Sequence, residues 1–108
     1  MNENQRKNIL CKAILASGKE AQIDRAIEQM AELARALCKL KRAQDGPERG
    51  GCLVKATEEV ADVQIMLDGL RIILGPTADI EAGKLLRREK RLQKLGERSR
   101  KDGTEKNT

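Results

Sequence analysis

Apolar residues recur at helical intervals along most of the chain. From Ser17 to about Arg42, alternating steps of four and three residues predict a long helix with one apolar stripe. The stripe consists of Ile23, Ile27, Met30, Ala34 and Leu37. Ser17 and Glu20 have the spacing of a capping box, which predicts that this helix begins at Ser17. A shorter helix is predicted upstream, over residues 6–16.

Glycine and proline divide the rest of the chain into two more predicted helices. Residues 44–51 contain Asp-Gly-Pro and Gly-Gly, which are typical of turns. A second long helix is predicted over 53–74, and the Gly-Pro pair that follows it is expected to end it. A third long helix, beginning at Thr77 or Asp79, is predicted to reach about Arg98. The polar segment 101–108 is predicted to be a disordered tail.

These elements predict an all-α fold, an antiparallel helical bundle of three long helices and a short N-terminal helix. At 108 residues the chain is expected to form a single domain over 1–100. The helix predicted over 53–74 is apolar on more sides than such a bundle can cover. A homodimer or homotetramer is therefore expected to complete the core.

Composition removes several kinds of chemistry. The chain has no His, Phe, Tyr or Trp, so it lacks an imidazole base and an aromatic platform for stacking bases. Cys11, Cys38 and Cys52 have no C-x-x-C spacing, which predicts free thiols and not a zinc site or disulfide framework. No targeting segment or membrane span is apparent, so a cytoplasmic location without membrane contact is expected.

Two acidic clusters lie on the predicted long helices, and each brings carboxylates together on one helix face. Glu28 and Glu32 form the first cluster, and Glu58, Glu59 and Asp62 form the second. Carboxylates at this spacing repel one another, and a hard cation such as Mg²⁺ would relieve the repulsion. The two clusters therefore suggest a metal site between helices, and with it phosphate chemistry.

The first cluster also has a simpler interpretation. Glu28 and Glu32 lie almost opposite the apolar stripe of their helix, as expected for a solvated face. Arg25 and Arg35 are placed to form surface ion pairs with them.

The second cluster lies at the end of an apolar ridge that continues through Met66 and Ile73. Glu59 and Asp62 are therefore expected to be buried, and a buried carboxylate needs a metal or an ionic partner. Lys55, one turn away, is the alternative partner to a metal.

Residues 26–33, followed by Lys39 and Arg42 and then by residues 58–63, resemble the all-α nucleoside triphosphate pyrophosphohydrolases. This MazG-like superfamily includes the dimeric dUTPases, and short members similar to this chain occur in phages and prophage regions. The family pattern is E-x-x-E on one helix and E-x-x-D on the next. Here Glu59 and Asp62 match the second pair, whereas Gln29 stands where the first pair has its first acid.

The resemblance implies a Mg²⁺-dependent enzyme that splits a nucleoside triphosphate into a monophosphate and pyrophosphate, with Mn²⁺ able to replace Mg²⁺. The implied metal ligands are Glu32, Glu59 and Asp62, with Gln29 or Glu28 as a fourth. Glu32 and Glu59 are the implied catalytic residues. Because an amide brings no charge, the resemblance leaves open whether Gln29 weakens or abolishes activity.

Two cations near the end of the first long helix are implied to bind the substrate phosphates. Lys39 and Arg42 lie beyond Glu32 on the same helix and could contact the β- and γ-phosphates. The alternative is structural, since cations in the last turn of a helix are stabilised by its dipole.

Charge is distributed unevenly and suggests a second class of function. Residues 1–83 carry 12 basic and 13 acidic side chains, whereas residues 84–108 carry 10 and 4. A basic amphipathic helix of this kind could be a non-catalytic module that binds nucleic acid or an acidic partner. Its cations as a set have no single spacing and no base-reading motif accompanies them. Packing against the acidic helices is therefore the favoured interpretation.

Overall fold

The chain folds entirely into α-helices over the part that the structure describes. The structure is a computed structural model that describes the backbone of residues 1–106 and the side chains of residues 1–101. Four helices follow one another: α1 (Glu3–Ser17), α2 (Lys19–Ala43), α3 (Arg49–Leu74) and α4 (Ala78–Lys106). The described residues include no strand, so the predicted all-α class is confirmed, with three long helices and a shorter first one.

The first helix begins with a capping box that was not predicted from the sequence. The Asn2 side chain accepts a hydrogen bond from the backbone N–H of Gln5, and the Gln5 side chain accepts one from the Asn2 N–H, both at 2.8 Å. The capping box predicted at Ser17 is wrong. Ser17 is the last residue of α1, and its hydroxyl donates to the carbonyl of Ala13. Gly18, at φ 88°, separates α1 from α2, and no side chain caps α2.

A five-residue connection joins α2 to α3. Gln44 has a positive φ of 47°, and the Gly46 N–H donates to the Ala43 carbonyl, so the chain reverses at once. Consequently α3 begins at Arg49, four residues before its predicted start, and takes in both glycines of the Gly-Gly pair. It ends at Leu74 as predicted, where Gly75 at φ 123° donates its N–H to the Arg71 carbonyl.

The short connection makes α2 and α3 antiparallel neighbours. On each helix, buried and partly buried residues form a stripe in which steps of four and three residues alternate. On α2 the stripe consists of Gln22, Ala26, Gln29, Leu33, Ala36, Leu40 and Ala43. On α3 it consists of Cys52, Ala56, Glu59, Val63, Met66, Leu70 and Ile73. These two buried stripes face each other.

The apolar stripe expected on α2 lies one residue along from the stripe that is buried in this chain. Ile27 and Leu37 are 57% and 44% exposed, whereas Ala26 and Ala36 are 1% and 5% exposed. Small alanines allow α2 to approach α3 closely, and the larger residues lie about 100° further round the helix. In the expected stripe, Ile23 is partly buried and the other four residues are exposed.

Helix geometry assigns the flanking residues of the antiparallel pair to two opposite sides. Residues that follow a buried position lie on one side, and residues that precede a buried position lie on the other. The first side is the apolar face, formed by Ile23, Ile27, Met30, Ala34 and Leu37 with Leu53, Val60, Leu67 and Leu74. The second is the charged side, formed by Glu28, Glu32, Arg35 and Lys39 with Lys55, Glu58 and Asp62.

Helix α1 is held to α3 by an ionic cluster. The guanidinium of Arg6 contacts Asp68 Oδ2 at 2.7 Å, and Arg71 contacts Asp68 Oδ1 at 2.9 Å. Although partial burial alone would raise it, the pKa of Asp68 is lowered by hydrogen bonds from Arg6 and Gln64 and by the charges of Arg6 and Arg71. The cluster thus keeps Asp68 ionised at neutral pH.

Two compact units divide the chain, Met1–Gly75 with α1 to α3 and Pro76–Thr108 with α4. Helix α4 continues to Lys106, eight residues past its predicted end. The predicted disordered tail, 101–108, therefore overlaps α4, and its last two residues and all its side chains after Lys101 lie outside the described residues. None of the described helices is both long and apolar enough to cross a membrane.

Candidate functional site

A pocket on the charged side of the α2–α3 pair brings together residues from both acidic clusters. It has a volume of about 270 Å³ and is lined by Glu32, Arg35, Ala36, Lys39, Lys55 and Glu59. Spacings of three, four and seven residues put the α2 members on one helix face, and Lys55 and Glu59 are one turn apart on α3. The pocket thus contains two carboxylates and three cations.

Glu59 is the buried acid of this pocket. It is 2% exposed, and its Oε1 forms an ion pair with the Lys55 ammonium at a distance of 2.9 Å. Its Oε2 is buried and has no hydrogen-bond partner among the described residues. An ionised carboxylate that lacks water is costly unless its oxygens are paired. Glu59 therefore has one satisfied oxygen and one that can accept a further cation or donor.

The Lys55 ammonium is the ionic partner considered in the sequence analysis, and the structure confirms this pair. The hydrogen bond to Glu59 and the charge of Glu59 raise the pKa of Lys55, and the charges of Glu58 and Glu32 add to the effect. Glu32, on the other helix, is therefore within electrostatic range of the same ammonium group. Acids from both helices therefore act on one ammonium group that lines the pocket.

Gln29 lies on the facing stripe of α2, is partly exposed and does not line the pocket. Its side-chain Oε1 is buried and has no hydrogen-bond partner in the described part of the chain. Two buried oxygen acceptors without partners, one from α2 and one from α3, thus lie along the facing stripes. Groups of this kind are rare in folded proteins and call for an explanation by a water, an ion or a functional role.

Other predicted site residues lie outside the pocket. Asp62, Glu28 and Arg42 are exposed and do not line it, and the expected burial of Asp62 is wrong. Asp62 precedes the buried Val63, so it lies on the charged side and points away from the contact between the helices. Glu28 and Glu32 are exposed, as the solvated-face interpretation predicts, but neither forms an ion pair with another described residue.

Two charged lining residues, Arg35 and Lys55, were not predicted as site residues. Lys55 was considered only as a structural partner, and Arg35 only as a surface partner of Glu32. Their spacing already contained the signal, because Arg35 is three residues from Glu32 and Lys55 is four residues from Glu59. Residues that precede a buried position on either helix necessarily share one side of an antiparallel pair.

A second concave surface adjoins the first at the α2–α3 turn. It has a volume of about 510 Å³ and shares Ala36, Lys39 and Lys55 with the first pocket. Its remaining lining residues are Pro47, Glu48, Gly51 and Cys52. The two surfaces together are in the size range of small-molecule sites, and the shared lysines lie between them. All three cysteines, including Cys52, are free thiols as predicted.

The oxygen donors of the pocket are of the kind that Mg²⁺ prefers. Mg²⁺ in phosphate-handling sites is usually bound by one or two carboxylates, several waters and the substrate phosphates. Glu59, with its unpaired buried Oε2, and Glu32 meet that modest requirement. Among the described residues, no three His, Cys, Asp or Glu side chains form a group that could hold a metal ion.

Comparisons of the chain with protein-family models, with curated proteins and with solved structures find no match.

Proposed function

We propose that this protein is a Mg²⁺-dependent nucleoside triphosphate pyrophosphohydrolase that uses the pocket on the charged side of α2 and α3. The observation that carries the proposal is the buried Glu59, whose Oε2 has no partner and which shares a pocket with Glu32 and three cations. The resemblance of residues 26–33 and 58–63 to the MazG-like enzymes supports the same reaction.

In this proposal Glu59 and Glu32 hold the metal from opposite helices. The amide oxygen of Gln29 and the carboxylate of Asp62 are further ligands, since Asp62 lies three residues from Glu59 on the charged side. When bound, Mg²⁺ would offset negative charge that develops on the phosphate oxygens. Mn²⁺, which accepts the same oxygen ligands, would replace it.

The cations of the pocket have the complementary role of binding phosphate. Lys39 and Lys55 lie between the two concave surfaces, and Arg35 lines the smaller one. Arg35 can bind two phosphate oxygens at once, whereas each lysine acts as a point charge. Arg42 lies outside this lining, so Lys39 is the stronger candidate of the two phosphate-binding residues implied by the resemblance.

In the proposed reaction, Glu32 is the proton acceptor. A water oxygen forms a bond to the α-phosphorus, and the bond from that phosphorus to the bridging oxygen breaks, so that pyrophosphate leaves. The water proton passes to the Glu32 carboxylate, which is exposed at the pocket and is not held in an ion pair with another described residue. Glu59 is too buried and too engaged with Lys55 to serve as the base.

Gln29 is expected to lower the activity of the site. A neutral amide in place of a carboxylate lowers the negative charge available to the metal. We expect slower turnover than a four-acid site would support. The buried, unpaired Gln29 Oε1 still provides an oxygen that can ligate a cation.

The apolar face supports a homodimer or homotetramer. Ile27, Val60 and Leu74 on this face are 57%, 52% and 76% exposed. A contiguous apolar surface of this kind is typical of a protein–protein interface. A second copy of the chain that packs α2 and α3 against the same helices would cover it, and the charged side would stay open to substrate.

Pyrophosphate release from a panel of ribo- and deoxyribonucleoside triphosphates with Mg²⁺ or Mn²⁺ tests this function. We expect turnover of at least one triphosphate by the wild type and a loss of roughly 100-fold in Glu59→Gln. Glu20→Gln, a neutralisation outside the pocket, serves as the matched control and should keep wild-type rates. Equal rates in Glu59→Gln and the wild type, with helix content preserved in both, would show that the pocket is not the active site.

A further inference from the structure

Helix α4 has a regular row of cations that the proposed enzyme does not use. The positions Lys84, Arg87, Arg91, Lys94, Arg98 and Lys101 follow one another at alternating steps of three and four residues. Because α4 is a continuous helix over this whole stretch, this spacing places the six cations on one face. The basic residues of α4 taken together are unevenly spaced, but these six are regular, and we name them the basic row.

The basic row is purely cationic. Arg88 and Lys90 flank it, whereas the acids between its ends, Glu89 and Glu97, lie on other sides of the helix. None of the salt bridges formed among residues 1–101 includes a member of the row. Unpaired like charges at this spacing repel one another and destabilise an isolated helix, so a polyanion bound along the row would stabilise it.

The row also has a concave section suited to phosphate. Lys84, Arg87, Arg88 and Arg91 line a depression of about 350 Å³ whose walls are cationic side chains. Three of the four are arginines, which bind phosphate oxygens through two N–H groups at once. Four cations within about two helical turns give this depression a concentrated positive charge that suits a phosphate group.

We propose that α4 binds the phosphate backbone of double-stranded nucleic acid without regard to sequence. The row spans roughly 26 Å at a rise of 1.5 Å per residue, a length over which a duplex presents many phosphates. A single α-helix fits the major groove of B-DNA, where both flanking phosphate strands are within reach of long cationic side chains.

Single strands and membranes fit this surface less well. Single-strand binding draws much of its strength from aromatic stacking, and the chain has no aromatic residue. Membrane helices need a wide apolar face opposite the cations. In α4 the charged Glu89 lies between Leu85 and Leu92 on the helix surface, so the apolar side is interrupted.

Fluorescence anisotropy with the full chain and a labelled 30-base-pair DNA duplex of arbitrary sequence tests the proposal. Affinity should fall as salt rises, with a slope of log K against log salt of about −4.5 to −5.5 if five or six phosphates are neutralised. A second arm with duplex RNA shows whether the protein prefers double-stranded DNA or double-stranded RNA. A third arm with anionic lipid vesicles tests the membrane alternative.

The decisive variant replaces Arg87, Arg91 and Lys94 with Glu, and its matched control replaces Lys12, Lys19 and Arg25 with Glu in the other unit. Both variants change net charge equally. We expect the α4 variant to lose at least tenfold in affinity and the control to lose less than threefold. A version of the α4 variant with Gln in place of Glu, which lacks new repulsion, should show a slope smaller by about three units.

Equal losses in the α4 variant and its control would overturn the proposal, because net charge alone would then explain the binding. Binding to vesicles with no binding to either duplex would overturn it as well. Circular dichroism of each variant checks that helix content is preserved.

Discussion

The ammonium nitrogen of Lys55 lies 2.9 Å from Oε1 of Glu59, one turn along α3, while Oε2 of the same carboxylate is buried without a partner among the described residues. The ion pair thus satisfies half of a buried charge and leaves the other half available. Since Lys55 itself is largely exposed, it can move aside when another cation binds Glu59.

Replacing Lys55 with Gln should tighten Mg²⁺ binding measured without nucleotide. The ammonium occupies one oxygen of Glu59 and repels an incoming cation, and unit charges 4 Å apart interact by about 1 kcal/mol in water. We expect roughly fivefold or greater gain in affinity by isothermal titration calorimetry, and no change in Lys41→Gln. Weaker binding in Lys55→Gln would show that the lysine helps to build the site and does not compete with the metal.

Asp68 should make the attachment of α1 sensitive to acid. Its pKa is lowered in the folded protein, so its contribution to stability is present above the unfolded value of about 3.9 and is lost as pH falls through the folded value. Asp68→Asn should cost about 1 kcal/mol of unfolding free energy at pH 7.

Urea unfolding followed by circular dichroism at pH 7 and near pH 2.5 measures this difference. The gap between the wild type and Asp68→Asn should be smaller at the lower pH, because protonation of Asp68 weakens its ion pairs. Asp24→Asn, which alters an exposed acid of α2, should behave like the wild type at both. A gap of the same size at low pH would mean that shape and not charge holds Asp68 in place.

Gln44 ends α2 in a backbone conformation that favours glycine. Its φ of 47° and ψ of −117° lie in a region that side chains with a Cβ rarely adopt. Gln44→Gly should therefore raise the unfolding free energy by about 1 kcal/mol. Lys41→Gly, within α2, should lower it by about 1 kcal/mol. Thermal or urea unfolding of both variants measures these changes. A Gln44→Gly variant less stable than the wild type would show that the Gln44 backbone is not strained.

The exposed apolar face should control self-association. Ile27→Glu or Val60→Glu introduces a charge into the surface that a second copy would bury, and each should convert the oligomer to a monomer in light scattering coupled to size exclusion. Leu15→Glu, at a position 84% exposed on α1, is the matched control. A wild type that is monomeric at every concentration tested would exclude this interface.

The class of fold could be read from the sequence because helical periodicity and Gly-Pro punctuation are local signals. The choice between two neighbouring stripes on α2 could not. Both have the same alternating spacing, and the stripe that packs on α3 contains small alanines and two glutamines, so hydrophobicity favoured the outer one. The wrong cap at Ser17 has a similar cause, because a serine at this position could either cap α2 or complete α1.

The candidate site was predictable in part, because helical spacing also indicates which side chains are buried and which can pair. The apolar surroundings of Glu59 on α3 indicated its burial correctly, and Lys55 was identifiable as a partner by its spacing. Asp62 shares that helix but precedes a buried position, so its side chain lies on the charged side. One residue of register separates a buried acid from an exposed one, and only the packing of α2 on α3 fixes that register.

The most direct test of the proposed function compares pyrophosphate release by the wild type and by Gln29→Glu over the nucleotide panel with Mg²⁺. The account predicts equimolar monophosphate and pyrophosphate from the wild type, and a higher rate from Gln29→Glu, because a fourth acid strengthens the metal site. Absence of turnover of every triphosphate in both proteins would contradict the enzyme.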